Sequence, residues 1–408
     1  MAVDLGRYAR RRFGDAWEHV LDDYPVDIDE SADASVHGPM FMTWALYEHK
    51  FNGRPVVDWY LEDRGRNLAS DERGWLEAQQ KAWLSILEVT DVLPGSRVDV
   101  RDLLTGRCHS VIDVSASHSL SNGLLCLARI VEHEGVCVFC GTHPNPLPPL
   151  LAPDLVPRVR EALDLPKNVE PARLRERDTA TDLISCWQDE VDLLASRPLP
   201  TFANTDGDDL AWTTDTFAFT PPSARAEVER RLGDQPDIEP PEAGDKKAMY
   251  TFLKGAGSGH DAPVTVIGTA RVLAKELRLE SNSGKRADAL RSRVESLCAG
   301  LVRHRNRSTK DMEAMLADAK DKGAARPAIV GPEADALLLD FKRRHYAGWT
   351  AASLPALDGL SPKEAAQNPK YRARLVALLK DMELSESRQP EGQRFSFADI
   401  RAELGVPA

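Results

Sequence analysis

The spacing of apolar residues divides the chain into helical and strand-like stretches. In residues 1–82 apolar side chains recur every three or four positions, as in "DLGRYARRRFGDAWEHVLDD" and "ERGWLEAQQKAWLSIL", which predicts amphipathic helices. From about residue 85 to 143 apolar and polar residues alternate, with breaks at Pro-Gly and "LLTGR". We expect short strands with tight turns in this region, and a small β-barrel or a strongly curved sheet is the natural way to close them.

Beyond residue 150, stretches with helical spacing alternate with stretches that have the pattern of a strand. Helical spacing returns over residues 151–197, and two strands, "VTVIGTARVL" and "ELRLESN", precede an amphipathic helix, "KRADALRSRVESLCAGLV", which Ser281, Asn282 or Ser283 can cap. Residues 306–330 are charged and rich in alanine and glycine, so we expect a linker with a loose helix. "NTDGDD" lacks the spacing and closing glutamate of a calcium loop, and a turn is expected.

The C-terminal region carries a clear helix start. In "SPKE", Ser361 and Glu364 form a capping box, and Pro362 occupies the first helical position. After Pro369, apolar residues of "YRARLVALLKDMEL" lie on one side of a helix, which predicts a bundle of two or three helices.

These patterns predict an α+β, multi-domain protein. The 408 residues are too many for one ordinary core. The predicted order is a helical domain (1–82), a small β-barrel-like domain (83–149), a mixed α+β domain (150–305), a linker (306–331) and a C-terminal helical bundle (332–408).

The composition of the chain says more about the cellular environment of the protein than about its biochemical activity. Apolar residues make up 42% and charged residues 28%, a profile of globular proteins. We see neither a signal-peptide core nor an apolar run long enough to cross a membrane, and six cysteines in this length do not form a disulfide framework. We therefore expect a cytoplasmic protein without a membrane segment.

The stretch "VCVFCGTH" raises the question of a metal or redox site. Cys137 and Cys140 are three positions apart, so they face opposite sides if the stretch is a strand. A structural zinc usually takes two such pairs, and no second Cys-x-x-Cys follows. We therefore predict the last strand of the barrel, with no metal and no cofactor.

Other catalytic patterns are weak. "GAGSGH" at 255–260 lacks the lysine of a phosphate loop, and no Gly-x-Ser-x-Gly elbow occurs. "HSVIDVSASHS" brings His109 and His118 close to Asp113 in sequence, which proves little because triad members come from different elements. An enzyme is the least supported hypothesis, and it requires His109 or His118 to face a carboxylate or thiol in a deep pocket.

One segment is basic although the chain has a net charge of -12. Between residues 285 and 310, eight lysines and arginines stand against Asp288 and Glu295. Such a face can neutralise phosphates, although it can equally be a solvated helix face or dock on acidic residues. The candidate nucleic-acid-binding residues are Lys285, Arg286, Arg303, Arg305 and Arg307.

Several blocks, in order, resemble bacterial proteins associated with the SEC-C motif, a short zinc knuckle. The cysteine-dense knuckle itself is missing, so its zinc is not carried over. The blocks are "FMTWALYEHKFNGRPVVDWYLE", "VDVRDLLTG", "SASHSLSNGLLCLARIV…GTHPNPLPP", "LESNSGKRADALRSRVE", "LPALDGLSPKEAAQNPKYRARLVALLKDME" and "FADIRAELGV".

The fifth block resembles the helical toxin-binding domain of Xre/MbcA/ParS-type antitoxins. No preceding helix-turn-helix domain is apparent, so toxin neutralisation and operator binding are not implied. The resemblance implies a turn at Leu357, Gly359, Ser361 and Pro362 and a packing seam at Leu375, Leu378 and Leu379. The candidate partner-binding residues are Leu357, Gly359, Ser361, Pro362, Leu375 and Leu379.

The leading hypothesis is a non-catalytic cytoplasmic interaction or adaptor protein that binds a protein partner, in a toxin–antitoxin, mobile-element or defence context. The alternative is a nucleic-acid-binding protein that uses residues 285–310, and the second alternative is a cryptic enzyme. The sequence specifies neither the partner nor the oligomeric state.

Overall fold

The computed structural model describes residues 2–28, 34–176, 178–197, 203–241, 249–255, 265–311 and 332–407. The chain forms two compact units: residues 1–196 together with 329–408, and residues 197–328. Helices, a closed barrel and an open sheet together confirm the α+β, multi-domain fold class. The predicted 150–305 segment is divided between the two units, while the other predicted domain boundaries stay predictions.

The N-terminal part of the first unit is helical, as predicted, apart from one small hairpin. Trp44, Leu46 and Leu76 are fully buried in its core. The hairpin was not predicted because two-residue strands are too short to show an alternation. The elements are α1 (Ala2–Phe13), α2 (Asp15–Glu18), α3 (Ala34–Tyr47), β1 (Lys50–Phe51), β2 (Arg54–Pro55), α4 (Val56–Arg64) and α5 (Ser70–Lys81).

The predicted barrel is confirmed as a closed sheet of five strands. The strands are β3 (Trp83–Leu93), β4 (Arg97–Asp102), β5 (Cys108–Ile112), β6 (Leu125–His133) and β7 (Val136–Thr142), with α6 (Val114–Ser119) between β5 and β6. Their order is β3-β4-β5-β7-β6, closed by pairing of β6 with β3. All pairs are antiparallel except β5 with β7. This order, with a helix between the third and fourth strands, is that of an OB-fold.

Close packing joins the N-terminal helices to the barrel. Gly141 of β7 has a positive φ of 86°, and a Cβ there would lie 2.8 Å from Cβ of Thr43 in α3, so glycine allows the approach. Arg129 of β6 is 1% exposed and donates to Oε1 of Glu48 at 2.6 Å and to Gln79 of α5. Its guanidinium therefore ties two helical segments to the barrel wall.

Between the barrel and residue 196, the described part of the first unit forms the α-helices α7 (Ala152–Ala162), α8 (Pro171–Leu174) and α9 (Thr179–Ala195). Leu155, Val159, Leu183 and Trp187 bury their side chains in the same core as the N-terminal helices. Their apolar residues thus extend one continuous core.

The second unit is an antiparallel sheet in the order β13-β8-β12-β11-β10-β9. Phe217 and Phe252 of the sheet share a core with Val228 and Val294 of two helices. Ser283 caps the second helix by accepting from the amide of Arg286, one of the caps predicted. The elements are β8 (Ala211–Phe219), α10 (Arg225–Gly233), β9 (Ile238–Glu239), β10 (Met249–Lys254), β11 (Thr265–Val272), β12 (Glu276–Ser281), α11 (Gly284–Leu297) and β13 (Val302–Asp311).

The predicted linker is wrong at its beginning. Residues 306–311 do not start a linker but complete the edge strand β13, paired with β8. "NRSTKD" is polar throughout, because an edge strand can present most of its side chains to water, so no apolar alternation marks it. Residues 312–331 of the predicted linker, and 256–260 of "GAGSGH", lie outside the described residues.

Over the described residues 332–407, the C-terminal segment contains four α-helices, not two or three: α12 (Pro332–Tyr346), α13 (Pro362–Gln367), α14 (Pro369–Ser387) and α15 (Ala398–Leu404). The capping box is confirmed, since the amide of Ser361 donates to Oε2 of Glu364 at 2.8 Å and the amide of Glu364 to Oγ of Ser361 at 3.3 Å. Leu384 of α14 is buried among the barrel residues Leu124 and Cys126. The C-terminal helices therefore pack directly on the barrel.

Candidate binding groove between the barrel and the C-terminal helices

The contact of α14 with the barrel leaves an open groove of about 740 Å³ in the first unit. Its sides come from β3 and β4 of the barrel, from α7, and from the first half of α14. The walls are mostly apolar and include Leu103, Val156 and Val376, with Pro149, Pro153 and Pro157 stiffening the α7 side. Apolar walls with a few polar groups are typical of a binding site.

A buried carboxylate fixes one wall of the groove. Glu88 of β3 is 4% exposed. It accepts a hydrogen bond from Nη2 of Arg101 at 2.6 Å and another from Nζ of Lys380 on α14. Two cations on one buried carboxylate satisfy its charge and hold α14 against the barrel.

A guanidinium in the groove is incompletely paired. Nη2 of Arg374 lies 3.8 Å from Oδ2 of Asp154, and Nη1 lies 3.7 Å from Oδ2 of Asp358. Both distances exceed those of a good charge-assisted hydrogen bond. Nε of Arg374 is buried without an acceptor in the described part of the chain. A buried donor left unpaired costs about 1–3 kcal/mol, and a closer acceptor for Nη1 and Nη2 would improve the pairing of this guanidinium.

The predicted partner-binding residues lie next to this groove but point into the bundle. The side chains of Leu357, Leu375 and Leu379 are fully buried in the core of the C-terminal helices. Ser361 serves as the helix cap, and Gly359 adopts φ of 86° in the turn. The predicted turn and seam are thus present, whereas contact of these side chains with a partner stays a prediction.

The residues that face the groove are their polar neighbours, which the sequence did not single out. Asp358 lies inside the turn, and Lys370, Arg372 and Arg374 lie at the start of α14, before the buried Leu375. The available signal was helical spacing, which puts positions 370 and 374 on one flank of the helix, away from the seam.

Part of the predicted basic segment is engaged within the second unit. Arg286 is 6% exposed and donates to Oδ2 of Asp206 at 2.8 Å and to Oγ1 of Thr205 at 2.7 Å. Nζ of Lys285 donates to Oδ1 of Asp208 at 2.7 Å. The "NTDGDD" acids are therefore ion-pair partners in a turn, as the spacing of a turn suggested.

Arg307 is also paired. Its Nη2 donates to Oδ2 of Asp215 at 2.7 Å, and its Nη1 donates to Oδ1 of Asp288 at 2.5 Å. Asp215 is 1% exposed and also lies 2.7 Å from Nε2 of His304. Burial acts to raise the pKa of Asp215, but the hydrogen bonds from Arg307 and His304 outweigh it and leave that pKa below its usual value.

Arg303 and Arg305 remain exposed on the edge strand β13. Charged side chains on an edge strand commonly block pairing with another chain. Nucleic-acid binding through Lys285, Arg286, Arg303, Arg305 and Arg307 stays a prediction, and it would depend mainly on the two exposed arginines.

In an OB-fold, the second and third strands form the face that binds ligands. In this barrel those strands are β4 and β5. Oδ1 of Asp99 on β4 accepts from Nε of Arg97 at 3.2 Å and from Oγ of Ser110 at 2.6 Å. Ile112 of β5 is half exposed. Neither strand contains Phe, Tyr or Trp, so this face lacks the aromatic side chains on which bases stack.

The cysteine pair diverges, as predicted from the strand period. Cys137 packs with the barrel interior, whereas Cys140 packs on the outer side near Trp75. Burial raises the pKa of the Cys137 thiol, which favours the neutral form. Over the described ranges, no group of three or more His, Cys, Asp or Glu side chains is arranged to hold a metal ion.

His143, the last residue of "VCVFCGTH", is buried and neutral. Its Nδ1 accepts from the amide of Asn145 at 3.3 Å, so the proton sits on Nε2, 3.1 Å from Oε1 of Gln188. Burial, aided by the neighbouring His37, lowers the pKa of His143 to about 4. This histidine acts as a packed core residue.

Within the described residues, no hydrogen bond or ion pair joins His109 or His118 to a carboxylate or a thiol. Nε2 of His109 is buried without a hydrogen-bond partner in the described chain, and its ring lies against Trp83. The nearby Asp102 accepts from Trp83 Nε1 at 2.9 Å and from Ser85 Oγ at 2.6 Å. His118 lines a separate cavity beside α14. The enzyme hypothesis stays an untested alternative.

Fold and groove together define a multi-domain α+β protein with an OB-type barrel and a helical segment packed on it. Residues 27–144, which include α3 and the whole barrel, match a family of unknown function (DUF7986). No curated protein and no solved structure matches the chain. The SEC-C and antitoxin resemblances gain no support from these comparisons. Within the described residues, no helix is long and apolar enough to cross a membrane.

Proposed function

We propose that this protein is a non-catalytic interaction protein whose barrel–helix groove binds an acidic segment of a protein partner. The observation that carries the proposal is Arg374, whose Nη1 and Nη2 make only long ion pairs and whose Nε is buried with no acceptor among the described residues. A carboxylate of the partner would give Nη1 and Nη2 a closer acceptor, and guanidinium groups prefer carboxylates because both are planar and forked.

The shape of the groove favours a peptide segment. It is open to solvent, and its apolar walls offer pockets for side chains between cationic groups from β4 and α14. No histidine, cysteine or serine is among the described residues that line it. The resemblance of the C-terminal helices to a toxin-binding domain also favours a protein partner.

The proposal is tested without knowing the partner. A library of displayed peptides is selected on the full-length protein and counter-selected on the Arg374→Ala variant. We expect enriched peptides that carry Asp or Glu, with affinities measured by isothermal titration calorimetry. Losing a charge-assisted hydrogen bond should weaken their binding by about tenfold or more in Arg374→Ala.

Two further variants define where the peptides bind. Val376→Glu places a charge on an apolar wall and should also abolish binding, whereas Arg388→Ala removes the same charge as Arg374→Ala from an exposed position at the end of α14 and should leave binding unchanged. No enrichment, or equal binding to wild type and Arg374→Ala, would refute the proposal.

A further inference from the structure

A second cavity, unrelated to the groove, lies between the first helix and α4. It measures about 650 Å³ and is lined by seven residues, four of which are arginines. Positions 4, 7, 8, 11 and 12 fall on one flank of α1, because residues three and four apart are neighbours on a helix. Tyr60 and Arg64, also four apart, supply the α4 side.

The carboxylates near this cavity form ion pairs with only some of its arginines. Oδ2 of Asp63 accepts from the Tyr8 hydroxyl at 2.6 Å and lies 3.1 Å from Nη1 of Arg12. Nη1 of Arg7 lies 3.6 Å from Oδ1 of Asp4, a looser contact between exposed groups.

Arg11 and Arg64 have no ion-pair partner among the described residues, although both line the cavity and both are exposed. Like charges gathered at one cavity repel each other, and the protein as a whole carries a net charge of -12. The cavity therefore has a local excess of positive charge in a protein whose net charge is negative. A multivalent anion would reduce the repulsion between its guanidinium groups.

The aromatic side chains give the cavity a rigid wall. The rings of Tyr8 and Tyr60 meet edge to face with their centroids 5.1 Å apart. The guanidinium of Arg12 lies 4.7 Å from the centroid of Trp59. Stacked and hydrogen-bonded side chains lose less entropy on binding than free ones. The cavity is thus partly preorganised, and its size suits a small phosphorylated ligand.

We propose that this arginine pocket, defined by Arg7, Arg11, Arg12, Arg64, Tyr8 and Tyr60, binds a ligand that carries two or more phosphate groups. Several forked guanidinium groups at one cavity match the many oxygens of neighbouring phosphates better than a single carboxylate would. Consecutive phosphates occur both in polyphosphorylated small molecules and along a nucleic-acid strand. The site goes beyond the proposed groove function and does not depend on it.

The test is a titration of the full-length protein with two probes, sodium tripolyphosphate and a fluorescent single-stranded DNA of ten nucleotides. The key variant is Arg11→Glu/Arg64→Glu. Its matched control, Arg10→Glu/Arg66→Glu, makes the same charge change at exposed arginines of α1 and of the turn after α4 that do not line the cavity.

We expect micromolar to millimolar binding of at least one probe, a loss of about tenfold or more in the key variant, and a change of less than about threefold in the control. Binding of the DNA alone would assign a nucleic-acid strand, and binding of tripolyphosphate would assign a polyphosphorylated small molecule. Failure of wild type to bind either probe, or an equal loss in both variants, would overturn the proposal.

Stability must be separated from binding. Thermal unfolding of each variant is recorded, and Arg11→Lys/Arg64→Lys is titrated as well. This conservative variant keeps the charge but loses the fork, so it should retain part of the affinity while unfolding like wild type. Affinity equal to that of wild type would contradict the role of the guanidinium groups.

Discussion

The two arginine-rich regions of the chain differ in what surrounds them. In residues 285–310, Arg286 and Arg307 form ion pairs with carboxylates that lie far away in sequence, and these pairs neutralise their charge. At the arginine pocket, Arg11 and Arg64 meet no such partner within the described residues. The sequence favours the first region as a binding site because it contains many cationic residues. Whether a cationic side chain is free to bind a ligand depends on its ion pairs, which only the tertiary structure reveals.

Arg129 is a fully paired, buried arginine, and its substitution should give the largest loss of stability. Arg129→Leu leaves Glu48 buried without its cation, and breaking a buried pair in this way costs about 3–5 kcal/mol. Arg11→Leu, at an exposed position without an ion pair, should change the free energy of unfolding by less than about 0.5 kcal/mol. Chemical denaturation of both variants measures the difference, and equal effects would break the comparison.

His143 is a buried titratable group whose ring nitrogens contact Gln188 and Asn145 and not a carboxylate. Its pKa of about 4 in the folded protein lies below the usual 6.5, so between these values the unfolded chain binds more protons. The stabilising contribution is complete above pH 6.5 and is lost as the pH falls towards 4, by up to about 3 kcal/mol.

Denaturation of the first unit at several pH values, followed by hydrogen exchange in residues 125–147, measures this loss. His143→Asn should lower stability at neutral pH but flatten its dependence between pH 6.5 and 4. An unchanged pH dependence in His143→Asn would show that another group titrates.

Arg286 should give an intermediate effect. Arg286→Ala removes the donor for Asp206 and Thr205 and the packing of a buried side chain, which should destabilise the second unit by about 2–3 kcal/mol. Arg64→Ala is the matched control and should be nearly neutral. Local hydrogen exchange at β8 and β12 reports on this unit, and a neutral Arg286→Ala would show that the network adds little.

Arg303 and Arg305 should give the smallest effect on stability, less than about 0.5 kcal/mol for the double alanine variant, because both side chains are exposed. A gel-shift titration with duplex and single-stranded DNA at two salt concentrations then tests the nucleic-acid hypothesis for residues 285–310. If binding occurs and Arg303→Ala/Arg305→Ala leaves it and its salt dependence unchanged, these arginines are not its phosphate ligands.

Local signals in the sequence predicted local structure well. The capping box at Ser361 and Glu364 and the alternation of "VCVFC" each depend on neighbours a few residues apart. The same alternation and the turns between strands predict a small barrel or a strongly curved sheet, and the structure is a closed barrel of five strands. In contrast, residues 306–311 of the edge strand are polar and have no periodic signal, so their sequence predicts a linker.

The candidate sites were harder to predict because they depend on contacts distant in sequence. Arg286 and Asp206 are 80 positions apart, and Lys380 and Glu88 are 292 apart. No local pattern distinguishes Arg374, with a buried unpaired Nε, from Arg372 on the same helix, which donates to carbonyl groups of Ala366 and Gly405.

The central claim, that the groove is the partner-binding site, is tested most directly by hydrogen exchange with and without a saturating selected peptide. We predict slower exchange in residues 371–380 and 152–158, which line the groove, and no change in the edge strand at residues 302–311. Protection confined to residues 302–311, or protection at 371–380 that persists in Val376→Glu, would contradict the claim.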